Sequence, residues 1–213
     1  MITYTVLGLL GILLAVVLWQ MLKGGGAKNR QVTAPVMPAA VAAPTLASAR
    51  AGDVVSVPGA AEDFSDLDFT IERRNRYETG PNRWTELTGD HRGRRVWIEV
   101  SPGRDTEVVG FFDPRRPTIA EVGVSEDELG SLDQAQDPSR SVFFDGRAWN
   151  YESSREIGFF ENEMGEGEGF YRWLFKEASG RHVLCIEKWE GDPFDVRIGQ
   201  RLNQNDIVVF RAA

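Results

Sequence analysis

Between Arg83 and Val100 two short runs of side chains alternate in kind on either side of a polar turn that contains glycine. Successive side chains of a strand point to opposite faces, which sets Trp84 and Glu86 against Thr85 and Leu87, and Val96, Ile98 and Val100 against Arg95, Trp97 and Glu99. The period of two commits this stretch to a β-hairpin with one aliphatic face and one aromatic, charged face. An echo follows about ninety residues later, over Tyr171 to Trp189. There Arg172-Trp173 repeats Arg83-Trp84, Gly180-Arg181 repeats Gly93-Arg94, and Ile186-Glu187 repeats Ile98-Glu99. The echo predicts a twofold β unit in which Trp84 and Trp173 hold equivalent places, each packed against the aliphatic residues of its hairpin. The spacing from Trp to Glu is one residue longer in the first copy, so a turn or a bulge has to absorb the difference.

The flanking sequence supplies further strands. Gly52 to Pro58 is a β-branched run between turn residues, and Leu67, Phe69 and Ile71 alternate before their face turns to arginine. Glu107 to Phe112 reads as a strand, Val142 to Ser153 as a hairpin about Asp145-Gly146, and Asp206 to Phe210 as a buried terminal strand. Ser125 with Glu128 is a capping pair and predicts one short helix in the crossing segment between the halves. The fold class is therefore mainly β, an antiparallel sandwich or partly open barrel of two halves, about 52–117 and 140–213.

The first 22 residues carry no charged side chain and, as a helix of about 33 Å, would cross a hydrocarbon core of about 30 Å. No basic residue precedes the span and no small-x-small site closely follows it, so residues 1–23 predict a transmembrane helix rather than a cleaved signal. Lys23, Lys28 and Arg30 follow it, which places the C-terminal domain in the cytoplasm and the N-terminus outside a bacterial inner membrane. Residues 24–51, rich in Ala, Pro and Gly, read as a tether to a domain over 52–213. All 32 acidic residues but only 20 of the 24 basic ones lie beyond residue 50, and so strong an acidic balance excludes sequence-independent nucleic-acid binding. The single cysteine, Cys185, excludes an intramolecular disulfide.

The Gly-Asp-Val opening at Gly52, then Trp84-Thr-Glu-Leu, Val96-Trp-Ile-Glu, Tyr171-Arg-Trp-Leu and Ile186-Glu-Lys-Trp ahead of Gly199, resembles the bacterial family catalogued as domain of unknown function 4178. The resemblance covers residues 52–213. It implies membership in bacterial envelope or membrane-associated systems and transfers no activity.

No catalytic, cofactor or metal constellation stands out. His91 and His182 read as exposed turn residues without a close second ligand, and Cys185 reads as core filling. Glu161 to Gly169 mixes four glutamates with three glycines and reads as a mobile solvated hairpin loop. The one candidate ligand groove is formed by Trp84, Glu86, Trp97, Glu99 and Trp173, where aromatic faces and carboxylates suit a cationic or sugar-like ligand; core packing is the alternative use of the same rings. The function these features predict is a membrane-anchored cytosolic binding or scaffold module with a protein partner. The alternative is a hydrolase using carboxylates in an aromatic-lined groove.

Overall fold

The computed structural model describes residues 43–212. The transmembrane helix expected over 1–23, and the tether as far as residue 42, lie outside the described residues. Among those described, no helix is long and apolar enough to cross a membrane.

The protein is mainly β. The strands are β1 (Val54–Val57), β2 (Leu67–Thr79), β3 (Asn82–His91), β4 (Arg94–Ser101), β5 (Glu107–Phe111), β6 (Ser141–Phe144), β7 (Arg147–Phe160), β8 (Glu168–Glu177), β9 (His182–Trp189), β10 (Phe194–Leu202) and β11 (Val208–Phe210). Helices α1 (Ile119–Val122) and α2 (Glu126–Ala135) join β5 to β6. Ser125 Oγ accepts from the Glu128 amide at 3.3 Å while Glu128 accepts from the Ser125 amide at 2.8 Å, closing the box that starts α2. Thr118 and Glu121 repeat the device seven residues earlier and start α1, which the sequence reading did not anticipate. Arg92-Gly93 and Asp145-Gly146 both take positive φ at two successive positions, as the tight turns of right-twisted hairpins require.

All eleven strands belong to one antiparallel sheet in the order β11-β1-β2-β3-β4-β5-β10-β9-β8-β7-β6. Arg76 to Glu78 of β2 also pair with Gly158 to Phe160 of β7, so eight strands from β2 to β10 return on themselves as a hydrogen-bonded ring. Two bulges make this possible. Ile71 faces Gly89 but Arg73 faces Thr88, and Tyr151 faces Phe175 but Ser153 faces Leu174. The extra residues, Glu72 and Glu152, reverse the parity of their strands. Leu67, Phe69 and Ile71 therefore lie on the outer, aliphatic face, whereas Asn75 and Tyr77 turn inward. This is why the pattern after Ile71 changes to arginine.

Each half buries its aliphatic face outside the ring. In the first, Val55, Leu67, Phe69, Ile71, Leu87 and Ile98 pack together. In the second, Trp173, Phe175, Leu184 and Ile186 pack beneath Val122, Leu129 and Leu132 of the helical segment.

Counting from the bulges, Leu87 corresponds to Trp173 and Glu86 to Arg172, and the next ladder agrees, because Leu87 faces Ile98 and Trp173 faces Ile186. Ile98-Glu99 and Ile186-Glu187 are thus equivalent, but Trp84 and Trp173 are not. The counterpart of Trp84 is Phe170. Three other expectations also change. The tether was expected to run to Ala51, yet Leu46 and Ala49 are 7% and 1% exposed within the first core, and Arg74 Nη1 donates to the Ala49 carbonyl at 2.7 Å. His91 is buried rather than exposed, with Nδ1 2.8 Å from the Asp68 carbonyl oxygen, and His182 is half-buried beside Glu177. In the terminal strand only Val209 is buried, while Val208 and Phe210 are exposed on the sheet edge.

Candidate binding site in the ring interior

Strands β4 and β8 stand opposite one another in the ring, with three strands between them either way. A bond between them must cross the interior, and Arg172 of β8 makes it. Its Nη1 and Nη2 donate to the two oxygens of Glu99 on β4 at 2.9 and 2.8 Å. Nε and Nη2 also donate to Glu187 Oε1 on β9 at 2.9 and 2.5 Å. The other oxygen of Glu187 is held by Arg197 on β10. Arginine suits this place because its planar fork satisfies two carboxylates at once, which a lysine ammonium cannot do. Aromatic rings complete the shell: the Arg172 guanidinium lies 5.1 Å from the Tyr77 ring centre and 5.7 Å from that of Trp84, and Arg197 lies 5.3 Å from that of Trp97.

The same alternation that makes each hairpin aliphatic outside places these groups inside. Glu187 has no exposed surface, and burial alone would raise its pKa. The guanidiniums of Arg197 and Arg172 outweigh burial and hold it below the ordinary carboxylate range. Glu86 differs. It is 3% exposed, and burial raises its pKa; its bonds come from neutral donors, Asn75 Nδ2 at 2.9 Å and Tyr77 Oη at 2.7 Å. Cys185 Sγ lies 3.6 Å from Glu187, and burial pushes the thiol far up, so it is no nucleophile.

Two recesses open onto this interior. The first, about 530 Å³, is reached beside Glu86, Tyr77, Trp97 and Trp189 and holds six carboxylates against the guanidiniums of Arg73 and Arg197. The second, about 500 Å³, reaches Trp84, Glu99 and the other side of Arg172. The segment from Glu161 to Gly169 borders the first and is tied down rather than free: Arg73 meets Glu161 at 2.6 Å, Arg74 meets Glu163 at 2.8 Å, and the Asn162 amide donates to Asn75 Oδ1 at 3.0 Å. Asn75 thus links that loop to Glu86.

Of the five residues assigned to a groove from the sequence, Trp84, Glu86, Trp97 and Glu99 face the interior. Trp84 Nε1 donates to Glu99 Oε2 at 3.1 Å, but Glu86 and Trp97 lie at the first recess and Trp84 and Glu99 at the second. Trp173 belongs to neither: it lies in the outer core, and its Nε1 donates to the Leu129 carbonyl at 2.9 Å. Arg172, Arg197 and Tyr77 were missed, and Glu187, which invites pairing with Glu99 by its place in the echo, was not assigned to the groove. The alternation along Tyr171 to Trp189 already placed Arg172 and Glu187 on the face opposite Trp173 and Ile186, and that was the available signal.

The family described as Domain of unknown function (DUF4178) matches residues 57–204, more than half of the chain. No curated protein and no solved structure matches it.

Proposed function

The chain belongs to the DUF4178 family, whose description assigns no ligand, and we propose from the geometry that it is a membrane-tethered cytosolic binding module for a cationic group. The site is the acidic recess, and the observation that carries the reading is Glu86. It is a buried carboxylate with no guanidinium bonded to it, at a mouth where Tyr77, Trp97, Phe159 and Trp189 supply aromatic faces. Among the described residues, Glu166 and Glu168 at the rim have no ion-pair partner either. An alkylammonium or guanidinium entering there meets ring faces and unpaired carboxylates in a partly desolvated space, where both attractions strengthen. Burial raises the pKa of Glu86, so affinity for a cation rises with pH through that raised pKa.

The hydrolase alternative has one observation in its favour: Glu86 is pushed up and Glu187 down at the same recess, as an acid and a base would be. Against it, both oxygens of Glu187 are occupied by Arg172 and Arg197, and both oxygens of Glu99 by Arg172. A protein partner has two strand edges available, β6 and β11, which expose Phe143 and Phe210. The membrane tether rests on the uncharged span before Lys23 and the basic residues after it.

Calorimetric titration of the full chain in phosphatidylcholine nanodiscs with n-butylammonium and methylguanidinium tests the site. Saturable binding that Glu86→Gln weakens about tenfold, at unchanged melting temperature or above, is expected from loss of a charge-assisted contact. Equal affinity for wild type and Glu86→Gln refutes the assignment. For the tether, a reporter fused at Ala213 should be active only where it depends on the cytosol.

A further inference from the structure

We infer that the opposite mouth of the ring is a second, independent site, for an anion carried on an apolar body. Its floor is aliphatic and aromatic: Val109 and Phe111 of β5, Ile157 of β7, Leu174 of β8 and Val183 of β9. Its rim is cationic and polar, with Arg83, Arg155, Ser101 and Ser153.

The charges at this rim do not cancel. Glu99 is taken by Arg172, and Glu107 is taken by Arg201 at 2.5 Å. Arg83 Nε lies 3.0 Å from Glu78 Oε1 as an ion pair, and its two terminal amino groups are left for another acceptor. Arg155 is exposed and, among the described residues, has no carboxylate partner and no side-chain hydrogen bond. It also faces Arg172 directly across the β7–β8 ladder. Arg172 is already compensated by Glu99 and Glu187, so neither of those carboxylates is left to pair with Arg155.

The recess therefore presents an apolar floor and an unpaired guanidinium fork at its lip. A carboxylate or a phosphate monoester spans the fork in the geometry arginine favours, and its acyl or aryl body takes the floor. At about 500 Å³ the space holds one chain or ring system of modest size. A polyanion does not fit the same description, because the domain around the rim is acidic overall. The inference does not rest on the cation reading, which concerns the other recess.

The test is titration of the full chain in phosphatidylcholine nanodiscs with octyl phosphate, followed by tryptophan fluorescence because Trp84 lines the recess. Inorganic phosphate and 1-octanol are the two half-probes. Octyl phosphate should bind at least tenfold tighter than either. Arg155→Gln should lose about tenfold and Arg155→Lys should keep part of the affinity, as expected for a charge-assisted contact. Arg155 is exposed, so both variants should melt with the wild type. Nanodiscs doped with phosphatidic acid separate two sources of the same chemistry: competition with octyl phosphate identifies a lipid headgroup as the ligand, and its absence identifies a free amphiphile. Octyl phosphate binding no tighter than 1-octanol, or unchanged in Arg155→Gln, overturns the inference.

Discussion

Arg172→Met keeps an unbranched apolar stem and deletes the guanidinium that crosses the ring. Four hydrogen bonds disappear, two to Glu99 and two to Glu187. Glu187 keeps Arg197, but Glu99 keeps only the indole N–H of Trp84. The variant therefore buries a carboxylate with no cation bonded to it, a defect that costs about 3–5 kcal/mol. Against a typical stability of about 5–15 kcal/mol this is a large share, and for a domain of this size it lowers the melting temperature by about 6–20 °C. Urea unfolding followed by tryptophan fluorescence should show a lower midpoint at an unchanged slope. The pH dependence has a definite sign. Glu187 titrates below its ordinary value in the folded wild type, so the stability it contributes is present above the unfolded pKa and is lost as pH falls through the folded one. In Arg172→Met, Glu187 loses one of the two guanidiniums that hold its pKa down, so it protonates at higher pH than in the wild type. The gap between the two proteins should then narrow as pH falls from neutrality toward 4. Adding Glu99→Gln should recover at least about 1 kcal/mol, since it removes the stranded charge. A loss in Arg172→Met below about 1 kcal/mol, or a double variant no better than the single, would refute the reasoning.

A chain starting at Ala43 should melt with the full domain, whereas one starting at Ala51 should lose about 2–5 kcal/mol, because Leu46 and Ala49 leave the first core; thermal melts of the two decide it. Trp173→Ala should cost about 3–5 kcal/mol in urea unfolding, for its ring is buried under α2, while Trp84→Ala, half-exposed at the interior, should cost measurably less. Burial raises the pKa of Glu86, so its contribution to folded stability is fully present below the unfolded pKa and is lost as pH rises through the raised one. Melting temperatures of Glu86→Gln between pH 4 and 8 should lose that downward slope and match or exceed the wild type at the upper end.

Much of the strand framework was legible because each hairpin carries its own alternation and turn dipeptide. Asp145-Gly146 and the pair Ser125 and Glu128 declare themselves within four residues. What depended on non-local pairing was not legible. The echo of Arg-Trp suggested that Trp84 matches Trp173, but the ladder counted from the bulges matches Trp173 to Leu87. A bulge shifts correspondence without leaving a residue type that announces it; Glu72 and Glu152 look like any exposed glutamate. The ring itself rests on three residue pairs between β2 and β7, and no local pattern specifies which edges meet. Hence Glu86, Trp97 and Glu99 were placed on the correct face of their hairpin, Trp84 was expected against the aliphatic residues but faces the interior, and Arg172, which gives that face its chemistry, lay on a strand not known to face it. Leu46 and Ala49 were hidden for a simpler reason, since two small apolar contacts in an Ala- and Pro-rich stretch show no period.

The crossing of the ring by Arg172 has a consequence for synthesis. A ribosome completes β3 and β4, with Glu86 and Glu99 on their inward face, about 70 residues before it reaches Arg172. At about 5–20 residues per second the first half waits several seconds with both carboxylates on an open surface, Glu99 without the guanidinium that later meets it. In water those charges are solvated and keep the unfinished sheet from collapsing onto its polar face. Only when β8, β9 and β10 emerge can the interior close, and β1 gains its outer partner last of all, because Val54 pairs with Phe210 at the far end of the chain.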